Sequence, residues 1–158
     1  MKFLIIVRHG KSSWKYDVED FYRPLKKRGE NDAQVIAREL EKRDYSPDLV
    51  LSSDAVRAKT TAKIFSNILN FDFKLNHCLY DFSGKKALEV IRSCDNSIET
   101  LMIFGHNYGL TSIINTLGNK HIDNLPTSGL VVISFETDDW KTIQHGNTVL
   151  TLFPKAYR

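Results

Sequence analysis

The chain has 158 residues, 42% hydrophobic and 26% charged, and its 22 basic and 19 acidic residues leave a formal charge of +3. That length suits one domain, residues 1–158, with a core of its own, and the charge is too small to argue for a nucleic-acid partner. The apolar run after Met1-Lys2 is shorter than the roughly 7–15 residues of a signal peptide or the about 20 of a membrane span, so a cytoplasmic protein with no membrane partner is expected.

Phe3-Leu4-Ile5-Ile6-Val7 reads as a strand buried on both faces, ending in Arg8-His9-Gly10. On its own that ending could be an ordinary polar turn. Lys11 to Arg28 is irregular and rich in aromatics, with Pro24 as a breaker, and reads as a substrate-facing loop. Ala33, Ile36, Ala37 and Leu40 fall at helical spacing, so a helix runs from Gly29 to about Arg43. Leu49-Val50-Leu51 is a second buried strand, ending in Ser52-Ser53-Asp54.

Ala58, Ala62, Phe65, Ile68 and Leu69 line the next helix, with Asp54 as its expected N-cap. Arg57 stands in its first turn, where a cation suits a bound anion; pairing with Asp54 is the plainer alternative. Phe71 to Leu75 alternates like an edge strand, and Gly84 to Cys94 reads as a helix capped by Ser83. Thr100 to Phe104 is a buried strand running into Gly105-His106-Asn107, and a helix with Leu110, Ile113, Ile114 and Leu117 on one face follows. Leu130 to Phe135 and Thr148 to Phe153 are the last strands. Strands alternating with helices predict an α/β fold, a mostly parallel sheet with helices on both faces.

In such a sheet the strand ends share one edge, which brings Arg8, His9, Arg57 and His106 to one crevice. A metal site fits poorly: neither histidine has an adjacent carboxylate, no H-x-x-x-H occurs, and two guanidinium groups repel a cation. There is no G-x-S-x-G elbow and no G-x-x-x-x-G-K-[ST] loop. Cys78 and Cys94 form no C-x-x-C pair, and neither is followed six positions later by arginine, as a thiol phosphatase loop requires. Arginines hold phosphoryl oxygens bidentately, and a neutral imidazole is a competent nucleophile at phosphorus. Phosphoryl transfer to a histidine is the chemistry these residues suit.

Three blocks carry a resemblance. Arg8-His9-Gly10-Lys11-Ser12-Ser13-Trp14, Ser53-Asp54-Ala55-Val56-Arg57-Ala58-Lys59-Thr60-Thr61-Ala62 and Gly105-His106-Asn107-Tyr108-Gly109-Leu110 resemble the R-H-G-x-S, S-x-x-x-R-A-x-x-T-A and G-H-N-x-G-L segments of the histidine phosphatase superfamily. Arg23-Pro24-Leu25 and Pro126-Thr127-Ser128 point to its compact branch of SixA-type phosphohistidine phosphatases. The resemblance implies a phosphoglycerate mutase-like three-layer α/β/α sandwich. It also implies His9 as the phosphorylated nucleophile, Arg8 and Arg57 as the phosphoryl clamp, and His106 as a hydrogen-bond donor to the same group.

Ser12, Lys15, Arg23, Thr127 and Ser128 are expected as further phosphate or substrate contacts, although mutase-like members carry Asn at the Lys15 position. Those members also carry a Glu proton donor; Leu79-Tyr80-Asp81 is the nearest match, making Asp81 the candidate acid, or else a turn or capping residue. No metal and no cofactor are implied, and a monomer is expected. The expected partner is a phosphohistidine-bearing protein. Hydrolysis of small phosphomonoesters and a non-catalytic phosphate-binding module are the alternatives.

Overall fold

A computed structural model describes the whole chain, Met1–Arg158. Its first strand, β1 (Lys2–Arg8), is apolar from Phe3 to Val7 because both of its faces are covered. Leu4 and Ile6 pack on one side of the sheet, and Ile5 and Val7 on the other. The strands β2 (Leu49–Ser52), β3 (Lys74–Leu75), β4 (Thr100–Gly105), β5 (Leu130–Phe135) and β6 (Asn147–Leu152) complete a six-stranded sheet ordered β3-β2-β4-β1-β5-β6. The pairs β1–β4, β2–β4 and β2–β3 are parallel, whereas β5 runs antiparallel to both neighbours.

The helices α1 (Lys27–Glu41) and α2 (Val56–Leu69) cover one face through Ala33, Ile36, Ala37, Leu40, Ala62 and Phe65. The helices α3 (Lys85–Arg92) and α4 (Gly109–Leu117) cover the other through Ala87, Ile91, Leu110, Ile113, Ile114 and Leu117. This is the three-layer, phosphoglycerate mutase-like sandwich expected from the sequence. No helix is long and apolar enough to cross a membrane.

Two local expectations are corrected. The alternating segment Phe71 to Leu75 contributes only Lys74–Leu75 to the sheet, while Phe71 and Phe73 pack against the core cluster beside α2. The N-cap of α2 is Ala55, without a side-chain cap; the Asp54 carboxylate instead lies 2.9 Å from His77 Nδ1.

The long segment after β1 is pinned rather than loose. Lys26 N–H donates to Lys11 O at 2.8 Å and Ser13 N–H to Pro24 O at 2.8 Å, with a single turn of 3₁₀ helix at Asp20–Tyr22 between them. Gly10 and Gly29 let this segment meet the first turn of α1 backbone to backbone: a Cβ on Gly29 would stand 2.3 Å from Lys11 O.

Candidate active site

His9 leaves β1 at the carboxyl edge of the sheet and is 6% exposed. Its Nδ1 lies 2.7 Å from Gly10 O. A carbonyl only accepts, so Nδ1 carries the proton and Nε2 presents its lone pair. Arg57 Nε–H points at that nitrogen from 3.4 Å, and the His106 ring centroid lies 5.2 Å from that of His9.

His106 Nε2 stands 2.8 Å from Ser53 Oγ, which already accepts from Ala55 N–H at 3.2 Å. With the Ser53 hydroxyl donating to Nε2, the His106 proton sits on Nδ1. That nitrogen is buried with no partner in the protein.

Burial, then the charges of His106, Arg57 and Arg8, hold His9 well below the usual imidazole range despite the Gly10 hydrogen bond. Burial and the same arginines bring His106 down to about 3. Both rings are therefore neutral at physiological pH. The sign for stability follows: below pH 6.5 the unfolded chain takes up two protons that the folded chain refuses, so stability falls as pH falls. For His106 this costs about 2 kcal/mol between pH 7 and pH 5, and His9 adds in the same direction. Urea denaturation at the two pH values should reveal it, and His106→Asn should remove about 2 kcal/mol of that pH dependence.

Three guanidinium groups surround the histidines. Arg8 Nη1–H donates to Leu125 O at 2.9 Å, and its Nε is buried without a partner. Arg57 donates from Nη1 to Asp20 O at 2.7 Å and from Nη2 to Asp20 Oδ2 at 2.9 Å. Arg23 lies flat under the Trp14 ring, 3.4 Å from its centroid, and donates from Nη2 to Ser12 Oγ; its Nε and Nη1 are buried and unpartnered.

Ser128 joins the group because β5 is antiparallel, which puts its leading turn beside the end of β1. Ser128 sits at φ +60°, donates its N–H to Arg8 O and His9 O at 3.1 and 3.0 Å, and buries an unpartnered Oγ. Buried donors without partners are rare because each costs about 1–3 kcal/mol. Their concentration here, on Arg8, Arg23, His106 and Ser128, marks a site built for an oxyanion.

Arg8, His9, Ser12, Arg23, Arg57, His106 and Ser128 thus come together. Thr127 is the half-buried neighbour of Ser128 and makes no side-chain hydrogen bond. Lys15 lies apart from this group: it is exposed, with its ammonium 6.0 Å over the Tyr16 ring.

Asp81 stands in the second of its two expected places, as a cap. Its carboxylate accepts from Ser83 N–H and Oγ–H and from the N–H groups of Lys86 and Ala87, capping the start of α3. Partial burial would raise its pKa, but these bonds outweigh that and lower it, which suits a cap and not an acid. Asp81→Ala should cost about 1–2 kcal/mol of stability in urea denaturation and leave aryl phosphate turnover near wild type. A fall of about 10²-fold or more would return Asp81 to the proton-donor role.

Sequence reasoning missed Asp20, Tyr80 and Ser53. Tyr80 O–H donates to Asp20 Oδ2 at 2.6 Å, and the Tyr80 ring packs edge-on to His106 at 5.2 Å. Ser53, at the end of a buried strand, was in view without a role. Nothing in the spacing links Asp20 to Arg57.

With that geometry in place, comparison with known proteins is informative. A family model of the histidine phosphatase superfamily (branch 1) matches residues 4–87. An uncharacterized chloroplastic protein of Arabidopsis thaliana is 29% identical over 150 residues, covering 87% of this chain and 68% of its own. The structure of the protein histidine phosphatase SixA complexed with tungstate superposes with a TM-score of 0.84 at 18% identity, covering 99% of both chains. A crystal structure from Agrobacterium tumefaciens assigned to phosphohistidine phosphatase SixA gives 0.82 at 24% identity, covering 97% of this chain and 98% of that one.

Proposed function

The chain belongs to the histidine phosphatase superfamily and shares its fold with SixA structures, and from that premise we propose that it hydrolyses phosphohistidine carried on a protein. His9 Nε2 attacks phosphorus, and the P–N bond to the substrate ring breaks with its electron pair going to that nitrogen. Phosphohistidine forms on His9, and water then displaces the phosphoryl group as inorganic phosphate. Arg8, Arg23 and Arg57 hold the phosphoryl oxygens, and His106 Nδ1–H donates to the charge that develops on them.

The observation that carries this reading is the pairing of His9 Nδ1–H with Gly10 O, which turns the Nε2 lone pair toward the arginines, with only the long 3.4 Å contact from Arg57 Nε–H on it. Asp81 caps α3, so it offers no proton to an alkoxide. A phosphorylated ring can depart without one. This favours the phosphoramidate over the ester.

The test compares a phosphohistidine-bearing protein with sugar phosphates as substrates, in excess chelator. Faster turnover of phosphohistidine, with an acid-labile, alkali-stable phosphoryl label on the enzyme, is expected. Ester hydrolysis without turnover of phosphohistidine would overturn the reading.

A further inference from the structure

Asp20 sits inside the arginine cluster without a part in the chemistry above. Its backbone carbonyl and Oδ2 occupy both terminal nitrogens of Arg57, and Tyr80 O–H also donates to Oδ2. Oδ1 receives no hydrogen bond; Arg23 Nε stands 3.7 Å from it. The side chain is 42% exposed, so it forms part of the rim above the buried donors.

The charge count fits a bound dianion. Three guanidinium groups and one carboxylate, with both histidines neutral, leave a charge of +2 to meet a phosphoryl group. Removing the carboxylate would leave the site over-charged for that group. Oδ1, without a hydrogen bond and at the exposed rim, is the one carboxylate oxygen placed to meet a positively charged N–H of a substrate beside the phosphoryl group.

The walls beside it are aromatic. The rings of Tyr80 and Phe82 each lie within 5.3 Å of the His106 ring and 5.3 Å from one another, and Phe82 is half exposed. A flat heterocycle entering over His106 would meet their faces and edges. A phosphorylated imidazole is flat, and its distal nitrogen can carry a proton.

We propose that Asp20 Oδ1 accepts the distal N–H of the substrate's phosphorylated imidazole ring, beside Tyr80 and Phe82, and so selects phosphohistidine over phosphate esters. The inference rests on the phosphohistidine reading above. The distal N–H keeps the ring cationic while phosphorus is attached. When His9 Nε2 bonds to phosphorus, the P–N electron pair returns to the ring, which leaves as neutral imidazole with its distal proton in place.

An ester has no such proton, and its leaving oxygen must receive one. Asp20 is a poor source of it. Burial would raise its carboxyl, but hydrogen bonds from Tyr80 and Arg57 outweigh burial and hold it below the usual range, so it is ionised.

The experiment measures kcat/KM of the wild type and Asp20→Asn on phosphoimidazole and on p-nitrophenyl phosphate, across pH. The ratio of the two constants should move about 10–100-fold toward the ester in the variant, the worth of a charge-assisted hydrogen bond. The alkaline limb of the phosphoimidazole profile should also move to lower pH, because the ring loses its proton more easily. An equal fall on both substrates, as expected if Asp20 only holds Arg57 in place, would overturn the proposal, and so would an unchanged ratio. A wild type that hydrolyses the ester but neither phosphoimidazole nor a phosphohistidine protein would overturn the proposed function along with it.

Discussion

His9→Ala is expected to lower phosphoryl turnover by about 10⁴-fold or more and to abolish the covalent label on the enzyme. The residue is the nucleophile by elimination at the site. His106 Nε2 is engaged by Ser53 Oγ at 2.8 Å, whereas His9 Nε2 meets only the long 3.4 Å contact from Arg57 Nε–H and keeps its lone pair for phosphorus. No neighbour can replace it. Burial keeps that nitrogen unprotonated well into acid, so the lone pair is present throughout the physiological range.

The variant should still fold, because the ring's close polar contacts are to its own neighbour Gly10 and to Arg57. Chemical denaturation separates loss of chemistry from loss of structure. A folded His9→Ala protein with turnover close to wild type would dismiss the assignment.

Gly29→Ala should be costly although Gly29 touches no part of the chemistry. It is the third residue of α1, and helix propensity alone would favour alanine there by about 1 kcal/mol. The new Cβ would stand 2.3 Å from Lys11 O and 2.7 Å from Lys11 N, and both are backbone atoms that no rotamer change can move. Overpacking of this kind typically costs roughly 1–3 kcal/mol, and more where the backbone itself must yield. Relief requires α1 or the segment after His9 to shift.

Because Gly10 O orients the His9 ring, a shift of about 1 Å should also lower kcat by roughly 10²-fold. Urea denaturation and turnover, measured where both proteins are folded, check the two effects. A Gly29→Ala protein as stable and active as wild type would mean that the two backbones separate without cost.

The strands and helix faces were legible because burial writes itself into periodicity: five apolar residues for a strand covered twice, a 3–4 spacing for α1 and α2. Parallel order then brought Arg8, His9, Arg57 and His106 to one edge before any coordinates. What could not be read is what irregular chain does. Asp20 meets Arg57 across 37 positions, through a loop whose path is set by contacts such as Lys26 with Lys11. Ser128 reaches β1 because β5 is antiparallel, and apolar composition does not encode strand direction. Asp81 had the composition of an acid and the position of a cap. Only its four hydrogen bonds distinguish the two.

The strand order has a consequence for how the protein is made. β1 pairs only with β4 and β5, whose first residues are Thr100 and Leu130, so the strand that carries the nucleophile emerges from the ribosome long before either partner. Closing loops of that size is slow relative to local helix formation. Until Thr100 has been added, Phe3 to Val7 is an unpaired, β-prone apolar run, the kind of segment that nascent-chain chaperones cover and that aggregates when they do not. The strand that leads to His9 is made before either strand that seats it.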